Sequence, residues 1–104
     1  MAKVVFVTGS AKGIGAACIK KFALEGYDVV IHYRSSETSA RKLENWIKEN
    51  TNSKTLLLKS DIQNEEEVKK MVTKIIDTFG HIDVLVNNAA LEINSEFEEK
   101  NAQD

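Results

Sequence analysis

The chain is predicted to fold as an α/β protein, a three-layer sandwich on a partial parallel sheet with strand order 3-2-1-4. Three observations carry this. Short apolar runs alternate with helix-length amphipathic stretches, the first and fourth runs are almost wholly apolar, and a cluster of glycines sits between the first run and the first helix. Strands that alternate with crossover helices make parallel sheets with right-handed connections. Strands apolar on both faces belong where both faces are covered.

The elements follow in order. Lys3 to Val7 (K-V-V-F-V) is β-branched and aromatic and too short for a helix, so it is the first strand. Gly13 to Glu25 is the first helix, with Ile14, Cys18, Phe22 and Ala23 along its apolar side, and Gly26 ends it. Asp28 to Tyr33 (D-V-V-I-H-Y) is the second strand. Glu37 to Asn50 is the second helix, with Ala40, Leu43 and Ile47 on one face and Trp46 half-buried beside them. Lys54 to Lys59 (K-T-L-L-L-K) is the third strand. The third helix has an N-cap at Asn64 and a capping-box partner at Glu67. Val68, Met71, Val72, Ile75, Ile76 and Phe79 follow at helical spacing, and Gly80 stops it. Ile82 to Val86 (I-D-V-L-V) is the fourth strand, followed by a turn at Asn87 and Asn88.

Composition narrows the function. A net charge of −2 argues against a general nucleic-acid binder. No apolar run approaches the roughly 20 residues that span a bilayer. The single cysteine, Cys18, has no internal disulfide partner, so a cytoplasmic location is expected and Cys18 is read as packing. His32 and His81 stand apart, without metal-ligand spacing. His32, alternating with apolar residues, is read as structural or near an adenine, and His81 as a solvated turn residue.

Thr8-Gly9-Ser10-Ala11-Lys12-Gly13-Ile14-Gly15 lies at the junction of the first strand and first helix. Gly9 permits a tight turn, Gly13 close approach of phosphates, and Gly15 tight packing of the helix on the sheet. The free amides at the helix start then face a pyrophosphate. No G-K-[ST] ending is present, which disfavours a nucleoside triphosphate loop. The whole reads as half of a Rossmann-type domain.

The G-x-x-x-G-x-G spacing resembles the T-G-x-x-x-G-x-G signature of the short-chain dehydrogenase/reductase family. Asp61 after the third strand is similar to that family's acidic residue near the adenine. Asn87-Asn88-Ala89-Ala90 resembles its N-N-A-G, with Ala90 where the family has glycine. The resemblance covers Lys3 to Ala90 and implies cofactor contacts from Gly9, Ser10, Ala11, Lys12, Gly13, Ile14, Gly15, Tyr33, Arg34, Ser35, Asp61, Ile62, Asn87, Asn88, Ala89 and Ala90. An acid at the end of the second strand would select NAD; here that end reads His32-Tyr33-Arg34-Ser35-Ser36. Arg34 offers a fork of donors to a 2′-phosphate and Lys12 a second cation, so NADP(H) is expected over NAD(H).

The resemblance also implies a catalytic serine and a Tyr-x-x-x-Lys, the tyrosine acting as general acid/base. Ile31 lies four residues after Tyr27, and Glu37 four after Tyr33, so neither tyrosine heads that motif. No catalytic residue is therefore assigned. Residues 1–90 are expected to be the N-terminal part of a dinucleotide-binding domain, and 91–104 an acidic polar tail with little order. The chain is expected to be a piece of a longer, homo-oligomeric carbonyl reductase or alcohol dehydrogenase. The 3-oxoacyl-thioester reductases and glucose dehydrogenases look close, with the former preferred. The competing reading is an inert dinucleotide-binding module or a self-associating fragment.

Overall fold

A computed structural model describes residues 2–88. The elements run β1 (Val4–Val7), α1 (Gly13–Leu24), β2 (Asp28–Tyr33), α2 (Glu37–Asn50), β3 (Thr55–Lys59), α3 (Glu65–Phe79) and β4 (Val84–Val86). The strands form one sheet in the order β3-β2-β1-β4, every neighbouring pair parallel, as the sequence predicts. Strands β1, β3 and β4 begin one or two residues later than the apolar runs suggest.

Alternation along β1 divides the core in two. Val5 and Val7 join Ile19 and Ala23 of α1, Val29 and Ile31 of β2, and Ala40, Leu43 and Ile47 of α2. Val4 and Phe6 join Val30 of β2 with Met71 and Ile75 of α3 on the opposite face. Helices α1 and α2 thus cover one face and α3 the other. The chain reverses direction across the sheet between β1 and β4, and the crevice of such a sheet opens at the strands' carboxyl ends there.

Three helix ends match their local signals. Helix α1 closes in a Schellman motif: Gly26 N–H donates to the Ala23 carbonyl and Tyr27 N–H to the Phe22 carbonyl, both at 3.0 Å. The Phe22 and Tyr27 rings meet edge-on at 4.9 Å, the apolar contact of that motif. Helix α3 starts with Glu67 N–H donating to Asn64 Oδ1 at 3.2 Å and ends at Gly80 with φ 86°. The Glu67 carboxylate accepts the Asp61 N–H at 3.4 Å rather than the Asn64 amide of a full capping box.

The face of α1 differs from expectation. Ala23 is buried as expected, but together with Gly15 and Ile19, while Ile14 is 72% exposed and Cys18 and Phe22 are half-buried. Gly15 has to face inward because only a residue without Cβ fits there, and 3.6 residues per turn then bring Ile19 and Ala23 to the same face. Leu85 of β4 is 62% exposed, and among the described residues β4 is an edge strand.

Candidate functional site

The loop from Thr8 to Lys12 leaves the carboxyl end of β1 and is held from both sides. On the β4 side, Thr8 N–H donates to the Val86 carbonyl at 3.0 Å, and Thr8 Oγ1 lies 3.3 Å from Asn87 Oδ1. Asn88 is 2% exposed, and its Nδ2 donates to the Gly9 carbonyl at 3.1 Å. On the β2 side, Gly9 N–H donates to His32 Nδ1 at 2.8 Å, and Ser10 exchanges two bonds of 2.9 Å with the His32 backbone. The chain turns out of β1 through Gly9 at φ 61° and enters α1 through Gly13 at φ 57°, conformations that favour glycine.

Gly15 is the close approach. A Cβ there would lie 2.5 Å from the Gly9 carbonyl oxygen, 2.7 Å from Asn88 Nδ2 and 2.8 Å from Ser10 Cα. The first turn of α1 is thereby pressed onto the loop itself, not only onto the sheet. A Cβ on Gly13 would meet nothing within 4 Å, so that side of the loop is open. Lys12, the N-cap residue, makes no side-chain cap, and the first turn carries no acid. Such a helix start offers amides and the positive end of its dipole to an anion.

The other predicted positions fall into three groups. Lys12, Ile14, Arg34, Ser35 and Asn87 are exposed around the loop, with Ala11 half-buried. Arg34 reaches Asp61 at 4.0 Å, so the cation after β2 and the acid after β3 meet at one rim. Tyr33 and Ile62 belong to the two cores, Tyr33 buried and Ile62 half-buried, and Ser10 is fully buried. Ala89 and Ala90, and the tail 91–104, lie outside the described residues.

His32 is the residue whose weight the sequence understates. The residue is 2% exposed, and its Nε2 lies 3.0 Å from the Ser60 carbonyl oxygen. Burial holds its pKa below the ordinary histidine value, outweighing the bond to Ser60, which raises it. The only signal in the sequence was a histidine inside an apolar strand. His81, partly exposed in the segment before β4, is also paired: its Nε2 lies 3.0 Å from Asp83 Oδ2, which accepts the Val4 N–H at 2.7 Å. Among the described residues, no group of three or more His, Cys, Asp or Glu is placed to hold a metal, and no helix is long and apolar enough to cross a membrane.

The short chain dehydrogenase family model matches residues 3–104. The chain is 36% identical over 102 residues to 3beta-hydroxysteroid dehydrogenase 1 of Eggerthella lenta, covering 98% of this chain and 39% of that protein. It is 34% identical over 91 residues to the 3-oxoacyl-(acyl-carrier-protein) reductase FabG of Staphylococcus epidermidis, covering 88% of this chain and 37% of that one. A dehydrogenase from Burkholderia cenocepacia with bound NADP superposes with a TM-score of 0.77 at 26% identity, over 83% of this chain and 33% of that one. The chain thus spans less than two-fifths of the length of each of these relatives.

Proposed function

The chain belongs to the short-chain dehydrogenase family, and from that premise we propose that it is the NADP(H)-binding half of a carbonyl reductase or alcohol dehydrogenase. The observation that carries this is the glycine loop: fixed from β2 and β4, open at Gly13, and leading into a helix without a side-chain cap. The donor set suits a dinucleotide. The first-turn amides of α1 would bind the pyrophosphate, Arg34 and Lys12 the 2′-phosphate, and Asp61 with Ile62 the adenine. Ser35 stands beside Arg34, Asn87 and Asn88 border the nicotinamide side, and Ala89 and Ala90 continue from them. Ser10, Ala11 and Tyr33 contribute backbone and shape, since Ser10 and Tyr33 are buried and Ala11 half-buried.

When bound, the cofactor would supply a hydride to a carbonyl carbon or take one from a hydroxyl-bearing carbon. This chain's residues bind and orient it; proton transfer falls to residues elsewhere in the full protein. The relatives' names point to a steroid hydroxyl in one case and a 3-oxoacyl thioester in the other. The thioester is the preferred substrate class here. The parent protein is read as a cytoplasmic homo-oligomer.

Replacing Arg34 tests the cofactor choice. Because Arg34 sits 4.0 Å from Asp61, Arg34→Asp also juxtaposes two acids, and Arg34→Gln serves as the cleaner partner variant. Fluorescence titration of the full-length protein is expected to show NADPH affinity reduced roughly 10- to 100-fold in both, the scale of a lost charged hydrogen bond. NADH affinity is expected to hold in Arg34→Gln. Equal affinity for both cofactors before and after substitution would refute the NADP(H) assignment.

A further inference from the structure

Four hydrogen bonds converge on His32, and three of them hold Gly9 and Ser10. Nδ1 accepts the Gly9 amide at 2.8 Å, the His32 carbonyl accepts the Ser10 amide at 2.9 Å, and the His32 amide donates to Ser10 Oγ at 2.9 Å. The fourth joins Nε2 to the Ser60 carbonyl at 3.0 Å. A carbonyl oxygen only accepts, so Nε2 carries the proton and Nδ1 is left as the acceptor. Both ring bonds are made together only by the neutral imidazole. A second proton has nowhere to go but Nδ1, where it displaces the Gly9 amide.

We infer that His32 is the positioning residue of the glycine loop, its neutral imidazole holding the Gly9 turn in the shape that presents the amides of α1 to a pyrophosphate. This rests on the reading of the loop as a dinucleotide cradle. It also divides the loop's donors. The Gly9 amide is spent on Nδ1, and the anion is left to the amides at the start of α1. His32 touches neither cofactor nor substrate; it acts through Gly9 and Ser10.

The surroundings favour the neutral ring. From β1 the neighbour is Phe6, edge-on at 6.4 Å, and from the loop come Gly9 and Ser10, none of them titratable. The Ser60 hydroxyl lies against Met71 of α3, and the charges that follow Ser60 and Tyr33 in the chain, Asp61 and Arg34, pair with each other. Burial keeps the pKa below the ordinary value. The loop therefore keeps its shape at neutral pH. Cofactor affinity is fully present above the lowered pKa and declines about tenfold per pH unit beneath it, as protonation competes with the Gly9 bond.

The test uses the full-length protein and two readouts. Without cofactor, 15N NMR is expected to show an Nε2–H tautomer and a through-hydrogen-bond coupling between the Gly9 nitrogen and His32 Nδ1. A ring protonated on Nδ1 at neutral pH, or no coupling, overturns the inference. For NADPH titrations, His32→Asn keeps an acceptor near Nδ1 and is expected to bind within about threefold of wild type, without the acid decline. His32→Leu is expected to lose at least tenfold. Wild-type affinity in His32→Leu, or the same pH profile in His32→Asn as in wild type, also overturns it. If His32→Leu does not fold, the coupling and the His32→Asn profile still decide. A protein that shows the coupling but binds no NADPH refutes the cradle reading while leaving the tether in place.

Discussion

At Gly15 one absent methyl group decides how loop and helix meet. An alanine Cβ would press on two backbone atoms, the Gly9 carbonyl oxygen at 2.5 Å and Ser10 Cα at 2.8 Å, neither of which a rotamer change can move. Overpacking of this kind costs about 1–3 kcal/mol, against roughly 1 kcal/mol that alanine gains over glycine in helix propensity. Gly15→Ala is therefore expected to lower stability by up to about 2 kcal/mol in urea unfolding, despite being the better helix former. An unchanged or higher midpoint would show that the first turn of α1 is free to lift away. The glycine spacing was legible in the sequence, and so was the need for Gly9 to turn. What Gly15 touches was not, because its neighbours Gly9, Ser10 and Asn88 are brought together by the sheet. His32 shows the same limit. Its partners Gly9 and Ser60 lie on other segments, and no local pattern announces an imidazole bonded to both.

Elements were most legible where both ends carried their own chemistry. Helix α3 has an acceptor at Asn64 and a left-handed glycine at Gly80, and it spans the residues between them. Asn64→Ala removes the acceptor for the Glu67 amide and is expected to cost about 1 kcal/mol, read from the urea midpoint. Asn64→Ser is expected to recover most of that loss; equal destabilisation by both would mean the cap contributes nothing. Helix α1 was legible in extent but not in phase. Ile14, Cys18 and Phe22 repeat at helical spacing as well as Gly15, Ile19 and Ala23 do, and hydrophobicity alone favours the first set. The inward face goes to the second because the loop contact at Gly15 outranks burial of one isoleucine. Strand β4 shortened for a related reason: Asp83, inside the apolar run, turns its carboxylate back to the Val4 amide.

For the whole molecule, the strand order was legible from the alternation of strands and helices together with the apolar first and fourth strands, since crossover helices with right-handed connections leave few arrangements. That order puts the ends of β1, β2 and β4 side by side and gathers Gly9, His32, Arg34 and Asn88, which are scattered along the chain. The reading of this crevice as a dinucleotide site is most directly tested by following the loop amides of the full-length protein by NMR as NADPH is added. Saturable shifts are expected, centred on the amides of Gly13, Ile14 and Gly15 and on the Arg34 side chain, with the Gly9 amide still bonded to His32. Loop amides that do not respond to NADPH at saturating concentration, or a response confined to residues away from α1, would contradict that reading.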